Sequence, residues 1–175
     1  MADALFEPEV SRGLTWLHEM SGGQVPPIAI ECKRTAEARL AFDRVNEQQV
    51  ESLMDFSKRG FVRKLVVSQG FGRARRFTGV TPFDFIMTGA GKAYVLVNFR
   101  FTKNSPRKDI RKGVNRCFGV EIQEYVKAVE SEGKEGRASL NYDWFVENGI
   151  ECERIMITNE KGNREGSWDL RPLIK

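Results

Sequence analysis

Apolar runs at three places in the chain predict β-strands. Residues 28–33, 61–68 and 94–102 are rich in β-branched, aromatic and Leu side chains, and Pro, Gly or basic stretches separate them. Short runs of this kind are typical of strands that are buried in a sheet. The three segments therefore predict the three strongest strands of the chain.

A weaker alternation at residues 14–20 predicts a further strand near the N-terminus. Ser21-Gly22-Gly23 follows it and has the composition of a turn. Pro8 limits any helix before this strand to a turn or two. The first 33 residues are therefore expected to form a β-hairpin behind a short helical lead.

Helical spacing of Val50, Leu53 and Met54 predicts a helix that begins near Asn46. Asn46 is a favourable N-cap residue, and Gln49 stands three positions later, where a capping box places Glu or Gln. The sequence Lys-Arg-Gly at 58–60 ends the pattern, with cations at the negative pole of the helix. This is the best-supported helix in the chain.

The last third of the chain predicts two more helices and another strand. Residues 120–130 and 141–148 show helical apolar spacing, and residues 150–157 resemble a strand. Strands and helices thus intermix along the chain. The expected fold class is α/β, with a central mixed β-sheet flanked by helices.

Charge is distributed unevenly along the chain. Residues 1–57 carry 5 basic and 10 acidic side chains, residues 58–116 carry 15 and 2, and residues 117–175 carry 8 and 12. A central block at +13 predicts a surface for a polyanion such as nucleic acid. We interpret residues 1–175 as a single domain, with a core and basic arm in 1–116 and an acidic extension in 117–175 packed on it.

Composition also excludes several classes of protein. No apolar stretch has the length of a membrane-spanning helix, and the N-terminus lacks the pattern of a secretory signal. The three cysteines are isolated in sequence and lack the spacing of zinc ligands, which favours a reducing compartment. We therefore expect a cytoplasmic protein without a membrane partner, located in the nucleoid or a host cytoplasm if it is viral. A single histidine makes a Ser-His-Asp triad improbable.

The tripeptide Glu31-Cys32-Lys33 is the strongest candidate for chemistry. It closes the first apolar run, and alternation along a strand places Glu31 and Lys33 on the same face. A carboxylate beside an ammonium at a strand end can hold a divalent cation and orient a water molecule. An exposed ion pair on an edge strand is the simpler interpretation of the motif alone.

The surrounding sequence resembles the Holliday-junction resolvases of the RecU and Hjc type, in the PD-(D/E)xK nuclease superfamily. The resemblance rests on residues 28–35 (IAIECKRT), residues 46–50 (NEQQV) with Leu53, and residues 65–67 (LVV). It covers about a quarter of the chain. It implies a restriction-endonuclease-like fold and a metal-dependent endonuclease that resolves four-way DNA junctions as a homodimer.

The resemblance also implies roles for individual residues. Glu31 would ligate Mg²⁺ (or Mn²⁺), with the carbonyl oxygen of Cys32 as a further ligand. Lys33 would orient the attacking water or stabilise charge on the scissile phosphate. Gln49 either touches this site or only caps its helix, and both alternatives stay open. Arg34 would hold a phosphate.

One element of the family pattern is missing. The family places an acidic residue on the strand that pairs with the E-x-K strand, whereas the predicted hairpin places Thr15 opposite Glu31. Glu9, Glu19 and Asp84 are the candidates to supply the missing metal ligand. Alternatively, the chain is a pseudo-nuclease that binds DNA without cutting it, or it is truncated or substituted at a catalytic position.

Phosphate contacts are expected from the basic block, because such contacts position nucleic acid without reading its sequence. The candidates are Arg34, Arg73, Arg75, Arg76, Lys103, Arg107, Lys108 and Arg111. The function that follows is a junction-selective, Mg²⁺-dependent DNA endonuclease. The alternatives are a catalytically inactive DNA- or RNA-binding protein on the same scaffold, and a restriction or repair nuclease that acts on duplex DNA.

Overall fold

A computed structural model describes residues 6–59, 61–66, 84–89, 91–100, 115–159 and 161–175, with backbone alone for 61–66 and 84–89. The helices are α1 (Glu7–Met20), α2 (Glu47–Arg59), α3 (Ile122–Lys134) and α4 (Tyr142–Asn148). The strands are β1 (Ile28–Thr35), β2 (Arg39–Ala41), β3 (Phe61–Val66), β4 (Asp84–Gly89), β5 (Lys92–Arg100), β6 (Asn115–Glu121), β7 (Ser139–Asn141), β8 (Ile150–Cys152), β9 (Arg154–Thr158) and β10 (Arg164–Trp168). Two 3₁₀ helices, Phe42–Arg44 and Arg171–Ile174, complete the described elements.

A four-stranded mixed sheet with the order β1-β5-β6-β8 forms the centre of the fold. Strand β1 runs parallel to β5, and the remaining neighbours are antiparallel. Helices flank this sheet, so the predicted α/β class with a central mixed sheet is confirmed. The predicted boundary between residues 116 and 117 falls inside β6, and the chain beyond it supplies β8.

The two faces of the sheet bury different cores because side chains alternate along β5. Val95, Val97 and Phe99 face the core that Leu53 of α2 and Tyr125 of α3 join. The other core contains Tyr94, Leu96, Cys32, Cys117, Cys152, Val10, Leu17, Trp168, Leu170 and Leu173. Each face of β1 therefore meets a different set of helices, and this separation determines which side chains share a site.

The predicted hairpin over residues 14–33 is wrong, because residues 7–20 form one continuous helix, α1. Pro8 lies in the first turn of α1, where a missing N–H costs no helical hydrogen bond. Gly13 permits close packing in mid-helix, because a Cβ there would lie 2.5 Å from the carbonyl oxygen of Trp168. Val10 and Leu17 turn the apolar side of the helix toward the sheet.

Helix α2 begins as predicted. The backbone N–H of Gln49 donates to Asn46 Oδ1 at 2.9 Å, and the backbone N–H of Asn46 donates to Gln49 Oε1 at 3.1 Å. These two reciprocal bonds are the predicted capping box. The predicted helices α3 and α4 are also present, and Asn141 caps α4 by accepting from the backbone N–H of Trp144.

The predicted strand at 150–157 is divided into β8 and β9, which belong to different sheets. Strand β8 pairs with β6, whereas β9 pairs with the unpredicted strand β10. The division falls at Glu153, whose carbonyl oxygen accepts a hydrogen bond from the Asp169 backbone. Strands β3 and β4 pair with each other. Within the described ranges, no helix has the length and apolar character needed to cross a membrane.

Candidate active site

Strand β1 places Glu31 and Lys33 on the same face, as the E-x-K spacing predicts. Lys33 Nζ lies 2.8 Å from Glu31 Oε1. The Lys33 side chain is 8% exposed and the Glu31 side chain is 24% exposed. The ammonium is therefore buried beneath a carboxylate that still reaches solvent and is accessible to a cation.

Helix α2 brings a third polar group to this pair. Gln49 Nε2 donates to Glu31 Oε1 at 2.6 Å. The same residue completes the capping box, so its helix-capping role and its contact with the site occur together. A backbone N–H can only donate, so the Asn46 bond requires Gln49 Oε1 as its acceptor. The capping box thereby fixes the amide orientation and directs Nε2 at the carboxylate.

Removing the Asn46 side chain is expected to weaken this arrangement. We expect Asn46→Ala to lower the free energy of unfolding by about 1 kcal/mol, because an N-cap oxygen is lost. Asn46→Asp keeps the acceptor and is expected to stay close to the unsubstituted protein. Urea unfolding of the three proteins checks this. Equal destabilisation by Ala and Asp would show that Asn46 does not act through its cap oxygen.

A divalent cation fits Glu31 only with help from a substrate. The described part of the chain contains no group of three His, Cys, Asp or Glu side chains arranged to hold a metal. Mg²⁺ is, however, commonly held by one or two carboxylates together with substrate phosphates and water. Glu31 therefore fits a metal site that the phosphates of a substrate would complete, and metal affinity in the absence of such a substrate is expected to be weak.

Arg34 lies on the opposite face of β1, away from Glu31. Its Nε donates to Asn98 Oδ1 at 2.8 Å, and its Nη2 lies 3.1 Å from Glu9 Oε2. The guanidinium also lies 5.2 Å from the centre of the Phe6 ring. Because its side chain is 8% exposed, these contacts compete with the predicted phosphate contact.

Glu9 belongs to the same buried network of hydrogen bonds as Arg34. Its Oε2 also accepts from Trp168 Nε1 at 3.0 Å and lies 3.4 Å from Arg154 Nη1. These partners join α1 to β1, β9 and β10. Its bonds to Arg34 and Trp168 place the Glu9 carboxylate on the face of the sheet opposite Glu31, so it does not replace the missing acid in this arrangement.

The remaining metal-ligand candidates are dispersed. Thr15 lies on α1 and donates to the Ser11 carbonyl, so the expectation that it stands opposite Glu31 is wrong. Val95 of β5 occupies that register position. Glu19 is exposed on α1 rather than on a strand. Asp84 begins β4 and pairs with Val66, in a two-stranded sheet separate from the central one.

Other predicted site groups are only partly described. The Cys32 thiol is buried on the face opposite Glu31, and the role of its carbonyl oxygen stays a prediction. Seven of the eight predicted phosphate-binding cations lie outside the described residues. They are Arg73, Arg75, Arg76, Lys103, Arg107, Lys108 and Arg111.

Sequence reasoning missed Asn98, although a signal was present. Asn98 interrupts an otherwise apolar strand and is fully buried. Buried polar side chains need hydrogen-bond partners. Asn98 has them, because Oδ1 accepts from Arg34 and Nδ2 donates to Asn115 Oδ1 at 2.6 Å.

Comparison of the chain with protein-family models, curated proteins and solved structures finds no match.

Proposed function

We propose that this protein is a metal-dependent, structure-selective DNA endonuclease that resolves four-way junctions. The observation that carries the proposal is the convergence of Lys33 Nζ and Gln49 Nε2 on Glu31 Oε1, from a strand and from a helix N-terminus. The resemblance of residues 28–35 and 46–50 to the Holliday-junction resolvases supports the same activity. A restriction-endonuclease-like arrangement of the central sheet belongs to this proposal.

Each of the three side chains has a definite task in the proposed reaction. Glu31 supplies the negative charge for Mg²⁺ or Mn²⁺, which would polarise the phosphodiester and activate water. Lys33 fixes the carboxylate and places a positive charge beside the scissile phosphate. Gln49 restrains Glu31 from the second side. Two restraints on one oxygen hold the carboxylate in a single orientation, which is what a positioned metal ligand needs.

The proposed substrate and assembly follow from charge and symmetry. The +13 charge of residues 58–116 favours a nucleic acid ligand. Resolution of a four-way junction requires two symmetric cuts, which a two-fold homodimer supplies. A cytoplasmic site of action belongs to the same proposal.

Junction cleavage by the purified protein tests the proposal directly. We expect paired, symmetric nicks in a labelled four-way junction with Mg²⁺ or Mn²⁺ and none with EDTA. A linear duplex of matched sequence and length is the control and is expected to remain uncut. Equal cutting of both substrates would instead indicate a restriction or repair nuclease.

A second candidate function is junction binding without cleavage. It is favoured by the lack, within the described residues, of a three-ligand group at Glu31. Such a binder would hold the junction tightly in EDTA and leave it intact with every metal. Steep weakening of binding with salt is expected for both candidates, so the cleavage product and its metal dependence separate them.

A further inference from the structure

An apolar cavity of 610 Å³ opens between α2 and α3. Its apolar side chains come from both helices and from the turn before α2. They are Phe42, Val45, Val50, Tyr125, Val126 and Val129. Its volume lies in the range of established ligand sites, roughly 300–1,000 Å³.

One rim of the cavity is acidic. Asp43, Glu47 and Glu51 line it at intervals of four residues. Glu47 and Glu51 stand one turn apart on the same side of α2, so their carboxylates form a row. Among the described residues, no Lys or Arg lines the cavity. Within the same part of the chain, these three carboxylates form no ion pair, so their charge is available to a ligand.

Tyr125, which lines the cavity, carries a buried hydroxyl without a partner among the described residues. Tyr125 is 2% exposed, and among the described residues its Oη has no hydrogen-bond partner. Burial, and secondarily the negative charge of Asp43, raises the pKa of Tyr125 to about 12. The hydroxyl is therefore protonated at neutral pH. An unpaired buried hydroxyl is costly, and an approaching acceptor would relieve that cost.

We propose that this cavity, which forms a groove between α2 and α3, binds a basic amphipathic helix of a partner protein. A gap between two packed helices accepts the ridge of a third. The apolar floor would receive side chains spaced at i, i+3 and i+7. The acidic row would pair with Lys or Arg at helical spacing on the same ligand. Glu31, Lys33 and Gln49 do not line the cavity, whereas Asn46, which caps α2, does. The proposal therefore uses none of the three side chains assigned to the reaction.

A fluorescent peptide that forms such a helix tests the proposal. The probe is a 14-residue amphipathic helix of Leu and Lys, and its control carries Glu at every Lys position. We expect the Lys peptide to bind in fluorescence anisotropy and the Glu peptide not to bind. Glu47→Gln combined with Glu51→Gln is expected to weaken binding by about tenfold, because two facing charges are lost.

A matched variant separates the groove from general charge. Glu130→Gln combined with Glu147→Gln removes the same charge from exposed positions outside the cavity, and we expect unchanged affinity. In methyl NMR spectra, Val45, Val50, Val126 and Val129 should shift on titration, whereas Val95 and Val97 should not. Equal loss of affinity in both double variants, or shifts outside the groove, would overturn the proposal.

Two other occupants are outcomes of the same experiment. If the protein self-associates in analytical ultracentrifugation and Glu47→Gln with Glu51→Gln changes the dimer constant, the groove holds a second copy of the chain. If a small hydrophobic amine displaces the Lys peptide and binds with comparable affinity, the groove is a small-molecule site. Either result contradicts the helix proposal.

Discussion

Junction cleavage is expected to fall by more than about a hundredfold in Glu31→Gln. Loss of a mere outer-shell partner of a metal ligand already costs roughly 10- to 100-fold, and this substitution removes the proposed ligand itself. Gln retains the shape and the acceptor oxygen for Lys33 Nζ, which lies 2.8 Å away in the parent protein. Junction affinity in EDTA should be unchanged or slightly higher, because one negative charge near the phosphates is lost.

The control for this experiment is Glu130→Gln, which removes a carboxylate from the exposed face of α3. It should cleave the junction at the parent rate. Single-turnover cleavage and an electrophoretic binding assay in EDTA measure the two effects separately. Full cleavage by Glu31→Gln would eliminate Glu31 as the metal ligand, and equal weakening of binding in both variants would indicate a general charge effect.

Those features of the candidate site that depend only on neighbouring residues could be predicted from the sequence. Side-chain alternation follows from the extended backbone of a strand, so a strand over these residues places Glu31 beside Lys33 without knowledge of the rest of the fold. The capping box depends only on positions 46 and 49. Contact between Gln49 and Glu31 joins these two local facts, and it requires α2 to pack on β1.

The N-terminal helix shows where local rules mislead. Pro8 suggested an end to helical structure, yet it lies in the first turn of α1, and Gly13 packs against the Trp168 carbonyl in mid-helix. A glycine is needed at position 13 because of the close contact with Trp168, which lies 155 residues further along the chain. No pattern within residues 7–20 contains that information, because tertiary packing overrides propensity.

Pairing between strands is the second property that the sequence conceals. Strand β5 was predicted, but its parallel pairing with β1 was not, and that pairing sets Asn98 beside Arg34. Without this register, Arg34 looks like one more cation near a basic block. With it, β1 has two different faces: Glu31 and Lys33 face α2, and Arg34 joins a buried network with Glu9 on α1.

Replacing Arg34 with Met is therefore expected to destabilise the fold by about 3 kcal/mol. The substitution breaks a buried ion pair and leaves Glu9 without one cation, and breaking such pairs typically costs 3–5 kcal/mol. Arg154 and Trp168 still contact Glu9 Oε2, which favours the lower end of that range. Asn98 Oδ1 also loses its donor. Equilibrium urea unfolding gives the free energy of unfolding for comparison.

Arg39→Met is the matched control, because Arg39 pairs with Glu37 at the surface and is 66% exposed. Its expected effect is below about 1 kcal/mol. Glu9→Gln combined with Arg34→Met should destabilise less than the two single changes added together, because their shared interaction is counted once. The opposite result is a stable Arg34→Met protein with weakened junction binding in EDTA. That result would return Arg34 to the phosphate-binding role that its position beside the E-x-K motif first suggested.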